Sequence, residues 1–469
     1  MSETSAPTKK LKKALGLRDL IFLNIACVVG LSSLTQAAQF GWGSFALWLL
    51  AMVFYLIPSG LMIIDLNQRV PGQGGFYLWT KTAFGEKHAF IAAWCYWLSN
   101  IVWFPAILLT IVLSSLYIFG GDYLHLKENF WVAGVVSLVV LWFTILLNIY
   151  GLKFGKWIQN VGAISLWVLF VLLFGVAIYT VINFGSAQPF SAEALLPDLG
   201  DLGILPFFAA ITFSFGGLEL SSVMAGEVKD ATKNIIRSIV ISAFIIAILY
   251  CIGTFSLLVV IPEGDIQIVD GIAQTFYVIH EKIGFPYLGA IGAILVTLST
   301  LGLFASWTTG TARLPFVIGI DRYLPPALGK VHPKYGTPHI ALWVQGILIS
   351  ILLLIAISGT LVQEAYSYLY DMSVLLYFIP FLYMFGALLV HNRRKTGGES
   401  GIRLFQKYPW LVWVISIMGL AVIALSIILA VFPSEAIENK SLFLVKIIGT
   451  TTALLGIGAL FFYLKRPAK

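Results

Sequence analysis

Two stretches place polar and flexible residues inside long apolar runs: "GLSS" at Gly30 to Ser33, and "TFSFGGLELSS" at Thr212 to Ser222. Glycine weakens a helix interior by about 1 kcal/mol, and an acid such as Glu219 at mid-membrane costs roughly 3 kcal/mol on insertion scales. Something must offset those costs. An unwound segment exposes backbone N–H groups at one half-helix start and carbonyls at the other half-helix end, so it can hold an anion and a cation without a charged side chain. That chemistry suits a zwitterion. Close helix packing is the competing reading of Gly216 and Gly217. Asn100 follows Trp97 by three residues and precedes Trp103 by three, so one helical face presents an amide between aromatic walls; an interhelical hydrogen bond would use the same amide. Glu219 sits four residues after Phe215, with Ser222 and Gly226 continuing a small, polar face. Its carboxylate is expected to point into the bundle and to serve structure and gating, with proton carriage as the alternative.

The elements that must position these groups are membrane helices. Hydrophobic residues make up 59% of the 469 positions and charged residues 11%, with a mean hydropathy of +0.92, against roughly 25% charged in soluble domains. Runs of about 20 apolar residues recur between short polar breaks. They lie at 19–41, 43–67, 88–118, 130–150, 157–184, 204–226, 237–262, 284–312, 338–358, 364–391, 408–432 and 441–464. The fold class is therefore all-α, a polytopic membrane protein with twelve transmembrane helices; the ten-residue alternation of a barrel is absent. Gly30 and Gly216 both fall near the middle of their spans and are five spans apart. Odd parity means opposite orientation, so residues 19–184 and 204–391 read as a five-plus-five inverted repeat with helices 1 and 6 discontinuous. Residues 408–464 add helices 11 and 12.

Charge sets the expected orientation. Of the 29 Lys and Arg, all but Lys127, Lys282, Lys440 and Lys446 fall in tails and loops on one side, which the positive-inside rule makes cytoplasmic. Residues 1–18 and 465–469 are then cytosolic tails, and a multi-pass cell (inner) membrane protein is expected. The net charge of +7 follows from this topology and needs no nucleic-acid partner; "HNRRK" could meet anionic lipid. Cys27, Cys95 and Cys251 all lie within spans and support neither a disulfide framework nor a metal site.

Several stretches together resemble the amino acid–polyamine–organocation transporters, above all the arginine/agmatine and glutamate/GABA antiporters. "FSFGGLE" followed by "EVKDATKN" is similar to that family's sixth helix and its cytosolic exit. "VPGQGGFYLWTKTAFG", with Pro71, Gly74, Gly75 and Tyr77, resembles its first inner loop. "SWTTGTARLPFVIGIDRYLPP" and "IPFLYMFGALL" resemble the end of helix eight and helix ten. The likeness covers about residues 15–390 and implies the LeuT-type fold. It places the substrate amino group at carbonyls of Val28, Val29 and Phe213, and the carboxylate over Ser32, Ser33 and the amide of Leu31. Gly216 and Gly217 form the helix-six break beside Phe215. Phe213 and Trp307 take the positions of pocket aromatics, and Ser373 and Phe381 those of pocket residues on helix ten. In span three, Asn100 and Trp103 are candidates on their own spacing. The family's Gly-Ser-Gly is Gly30-Leu31-Ser32 here; Leu31 crowds the carboxylate position, which keeps an amine or polyamine in view.

The expected function is alternating-access transport of amino acids or related amines, with exchange ranked first. Proton-linked uptake is second, because the lysine of some proton-coupled relatives is replaced by Ser165 or Leu166. Sodium coupling through Thr297, Ser299 and Thr300 is third, since such hydroxyls also bond their own helix carbonyls. An intramembrane enzyme would need paired catalytic groups, and the six His lie at or near span ends. A channel would need a continuous polar face along several helices, whereas the polar groups here cluster at one depth. No cofactor is expected; the partners are a small-molecule substrate and the lipid bilayer, and a homodimer is left open.

Overall fold

The computed structural model describes residues 15–72, 74–150, 152–196, 206–223, 228–285, 287–315, 323–358, 361–396, 401–432 and 439–464. Apart from an isolated backbone pairing of Leu15 with Val228, the regular structure among them is helical. Helices α1 (Leu17–Val28) and α2 (Leu31–Ala38) form one bent crossing with an angle of 46° between them. α3 (Gly41–Arg69) follows, and α4 (Phe76–Phe84) is a short helix after it. α5 (Glu86–Leu116), α6 (Val132–Tyr150) and α7 (Leu152–Phe184) complete the first half. The second half holds α8 (Pro206–Ser214), α9 (Leu220–Val223), α10 (Ala231–Val260), α11 (Gly271–Ile283) and α12 (Leu288–Thr311). It continues with α13 (His339–Ile357), α14 (Val362–Arg393), α15 (Trp410–Leu429) and α16 (Lys440–Leu464).

Ten of these helices are long and apolar enough to cross a bilayer, or eleven crossings with the bent α1–α2 pair, among the described residues. The expected span 204–226 lies partly outside them. Its described part is the pair α8 and α9, which flank the break at residues 215–219. The tails 1–14 and 465–469 also fall outside the described residues.

Both interruptions have local causes. Val29 and Gly30 are extended, with ψ of 92° and 124°, so α1 cannot continue into α2. At the second break Gly217 has φ +118°, a conformation open to glycine and strained for other residues. A Cβ on Gly216 would lie 2.3 Å from the Tyr377 hydroxyl, so neither glycine tolerates a side chain in place. Elsewhere α7 and α12 cross backbone to backbone: a Cβ on Gly162 would sit 2.5 Å from the Gly302 Cα. Small residues at such crossings let membrane helices approach without side-chain interlocking.

The helices bury their polar groups against each other and leave apolar faces outward, as a bilayer solvent requires. α5 is the most enclosed, with buried residues along nearly its whole length from Ala89 to Leu116. α14 packs beside it and links two opposite ends of the bundle. Its first turn meets the 261–270 segment through Gln363 Nε2, which donates to Gln267 Oε1 at 2.8 Å. Its last turn meets α4, where Arg394 Nη1 donates to the Thr82 carbonyl at 3.2 Å.

Candidate functional site

The two breaks face each other at mid-bundle. α1 ends at Val28 and α8 ends at Ser214, so the negative ends of two helix dipoles converge, while α2 points its positive N-terminal end at the same place. The Tyr250 hydroxyl from α10 lies 2.7 Å from both the Val28 and the Ser214 carbonyl oxygens. One hydroxyl has one proton, so it donates to one of them at a time. Trp48 stacks on the Tyr250 ring at 4.4 Å and donates its indole N–H to Thr254 at 3.0 Å, which fixes the tyrosine from behind.

Between the breaks is a small cavity of about 20 Å³, space for roughly one water molecule. Cys27, Val28, Gly30 and Ser33 line it from the first break, and Phe213, Ser214 and Gly216 from the second. Ser99, Asn100 and Trp103 come from α5, Trp307 from α12 and Tyr377 from α14. The aromatic walls meet edge to face. Trp103 contacts Trp307 at 5.5 Å and Phe213 at 5.9 Å, and Phe213 contacts Tyr377 at 4.9 Å. Such a box offers ring faces and edges to an alkyl chain or a cation.

A polar layer closes the cavity on one side. Glu219, 1% exposed, receives the Tyr96 and Tyr377 hydroxyls on Oε1, each at 2.7 Å, and the Gly217 N–H on Oε2 at 3.0 Å. One carboxylate therefore cross-links α5, the second break and α14. On the opposite side α2 is tied to the 261–270 segment and to α14. Gln39 Nε2 donates to the Ile266 carbonyl at 3.1 Å, the Thr35 hydroxyl bonds the Ile268 carbonyl, and Gln36 Nε2 donates to Tyr366 at 3.4 Å. Asp270 at the end of that segment pairs with Lys127 at 2.5 Å.

Of the residues expected from sequence, Val28, Ser33, Asn100, Trp103, Phe213, Gly216 and Trp307 are brought together around this cavity. Asn100 donates to its own helix, at the Tyr96 carbonyl 2.7 Å away, and not across helices. Trp307 donates its indole N–H to the Cys27 carbonyl at 2.8 Å. Gly217 lies against Val28 and Trp307 just beneath. Val29 and Leu31 line a separate cavity of about 10 Å³ with Ser299 and Thr300. Both of those hydroxyls donate to the Val296 carbonyl of their own helix, the competing use named above for such groups. The Ser32 carbonyl accepts from Thr35 at 2.8 Å, placing it in the first turn of α2. Phe215 packs edge-on against both rings of the Trp48–Tyr250 stack, at 5.3 and 5.4 Å. Ser373, one turn before Tyr377, donates to the Tyr370 carbonyl at 2.6 Å, and the Phe381 ring lies tilted against Tyr377 at 5.0 Å; the cavity lining includes neither Ser373 nor Phe381.

Tyr250 and Tyr96 were missed by sequence reasoning. Each shares its helix with several Ser and Thr hydroxyls, and nothing in its spacing sets it apart from them.

Comparison with known proteins gives the family of the chain. An uncharacterized transporter of Legionella pneumophila is 27% identical over 437 residues, covering 92% of each chain. A probable agmatine/putrescine antiporter of Lactococcus lactis is 25% identical, covering 85% of this chain and 86% of the relative. A serine/threonine exchanger of Bacillus subtilis is 24% identical, covering 86% and 88%. The family description "Amino acid permease" matches residues 15–453. With nearly its whole length matched and a helical bundle built around two broken helices, the chain belongs to the amino acid permease family and is a multi-pass membrane transporter, not an enzyme.

Proposed function

We propose that the chain exchanges amino acids or related amines across the cell membrane by alternating access, with the cavity between the two breaks as the substrate site. One observation carries the reading. Two helix C-terminal ends and one N-terminal end meet at an aromatic-walled cavity, with a separate hydrogen-bonded layer on either side. A substrate ammonium would lie toward the carbonyls of Val28 and Ser214, and a carboxylate, where the substrate has one, toward the start of α2 at Leu31 to Ser33. Asn100, Trp103, Phe213 and Trp307 would enclose the remainder. At about 20 Å³ the cavity is too small for such a molecule, so binding requires the aromatic walls to part.

In this reading residues 204–226 form a sixth span, which gives twelve spans in two inverted five-helix repeats followed by two further helices. The basic loops put both termini in the cytosol. The Glu219–Tyr96–Tyr377 layer is then the cytosolic barrier and the 261–270 segment the outer one. The relatives named as an agmatine/putrescine antiporter and a serine/threonine exchanger support exchange over net uptake.

Counterflow in proteoliposomes tests this. Vesicles loaded with one unlabelled amino acid or amine should accumulate its labelled form without an ion gradient, and Phe213→Ala or Trp307→Ala should weaken the apparent affinity about 5-fold or more, the loss of roughly 1 kcal/mol of ring contact. Uptake into empty vesicles that follows an imposed proton or sodium gradient would overturn exchange. Parent-like affinity in both variants would remove the aromatic walls from the site.

A further inference from the structure

A second concavity lies apart from the central site and shares none of its lining residues. It is an apolar groove of about 630 Å³ on the membrane-facing surface between α7 and α12, within the range of ligand sites. From α7 it is lined by Trp167, Val171, Gly175 and Tyr179, four residues at a constant spacing of four and so on one helical face. α12 contributes Ile291 and Leu295. The two helices touch at Gly162 and Gly302, and the groove occupies the stretch on the α11 side of that contact.

We propose that this groove holds one acyl chain of an anionic glycerophospholipid, with its phosphate beside Lys282. Three observations meet here. The groove runs from Trp167 to Tyr179, about 18 Å at 1.5 Å per residue, close to the roughly 15 Å of one leaflet's hydrocarbon. Its lining is apolar along that length and ends in Tyr179, a residue type that sits at the lipid–water boundary. At that end Ile283 of α11 forms the rim, and the adjoining Lys282 is exposed and pairs with none of the described carboxylates.

Gly175 supplies an independent argument. Glycine weakens a helix interior, and the Gly162–Gly302 contact shows what normally justifies it. At Gly175 no such contact exists: a Cβ there would meet open space. What the missing side chain leaves clear is the groove floor. The inference needs only that the chain spans a bilayer and is independent of the exchange reading.

The test uses the full chain in phosphatidylcholine vesicles containing phosphatidylglycerol with a photoactivatable diazirine in its acyl chain, with adducts mapped by mass spectrometry. Adducts are expected on the groove residues of α7 and α12 at about 5-fold or more the density found at exposed Trp413 and Ile417 of α15. Gly175→Phe, which fills the groove from a position with room for it, should cut groove adducts about tenfold and leave those on α15 and the thermal unfolding unchanged. Val171→Trp provides a second plug should the first variant fold poorly. Lys282→Glu should lower labelling by the phosphatidylglycerol probe about 5-fold, the ratio for one basic residue at an anionic surface, and leave labelling by the same probe on phosphatidylcholine unchanged. Equal adduct density in groove and on α15, or groove labelling indifferent to both plugs, overturns the chain site. Cross-links from groove residues to a second copy of the chain would make the groove a subunit interface and overturn it likewise. Equal response of both probes to Lys282→Glu overturns the assignment of the headgroup.

Discussion

Replacing Glu219 by glutamine tests whether the polar layer beneath the cavity is a barrier. The carboxylate accepts three hydrogen bonds, from Tyr96, Tyr377 and the Gly217 N–H. Glutamine has one acceptor oxygen and an NH₂ donor in the same volume. If its oxygen faces the two tyrosines, the NH₂ meets the Gly217 N–H; if it is turned around, both hydroxyls must rotate to accept. Bonds to a charged group contribute about 1 kcal/mol more than neutral ones, so the closed layer should lose about 3 kcal/mol over three bonds. That corresponds to roughly a 100-fold shift toward open conformations. The chain contains its own reporter. Cys27 lines the cavity, and the other two cysteines, Cys95 and Cys251, lie outside the lining. In a Cys95→Ala/Cys251→Ala background, an impermeant maleimide applied from the cytosolic face should modify Cys27 up to about 100 times faster in Glu219→Gln than in the parent. An unchanged rate, or an increase confined to the outer face, would refute the barrier role. Persistence of exchange with loss of its pH dependence would instead make the acid a titrating switch.

Three further outcomes follow from the same geometry. Tyr250→Phe leaves the Val28 and Ser214 carbonyls without their shared donor and should lower stability by about 1–3 kcal/mol, read by thermal unfolding, together with weaker substrate binding; a parent-like variant would mean water replaces the hydroxyl without loss. Gly217→Ala should cost about 1–3 kcal/mol because of its positive φ and its contacts with Val28 and Trp307 at 3.1 and 3.2 Å, whereas Gly456→Ala in α16, which meets open space, should be neutral or gain about 0.5–1 kcal/mol. Single cysteines at Lys156 and Arg394 should react with impermeant reagent from the cytosol and one at Asp198 from outside; reaction of Lys156 and Asp198 positions from the same face would break the inverted-repeat parity.

Much of the bundle is legible in the sequence because a bilayer leaves few options. A run of about 20 apolar residues has to be a helix, and the ends of α5 and α14 fall within two residues of the expected 88–118 and 364–391. The breaks were legible too, since Gly30 and Gly216–Gly217 interrupt such runs. What escaped were elements of another kind. α4 and α11 are short helices lying in segments read as loops; they carry charged residues such as Lys81 and Lys282 and offer no spanning run. The partners of Glu219 escaped in part because they come from afar: Tyr96 is 123 residues away and Tyr377 is 158. Tyr377 follows Ser373 by four residues and Tyr370 by seven, on one helical face, but one tyrosine among 14% aromatics gives no sign of which acid it will meet. Tyr250 bridges carbonyls, and a carbonyl leaves no trace in side-chain pattern.

The contact between Gly162 and Gly302 has a mechanical consequence. With no side chains interlocked at the crossing, α12 rests on α7 as a rod rests on a fulcrum. From Gly302 the helix extends about 21 Å to Leu288 in one direction and about 14 Å to Thr311 in the other, at 1.5 Å per residue. The arms are unequal. A rocking of α12 that shifts its Thr311 end by a given distance displaces its Leu288 end about one and a half times as far. Trp307 lies on the short arm, tied to the Cys27 carbonyl, so small adjustments at the cavity are magnified at the far end of the same rod.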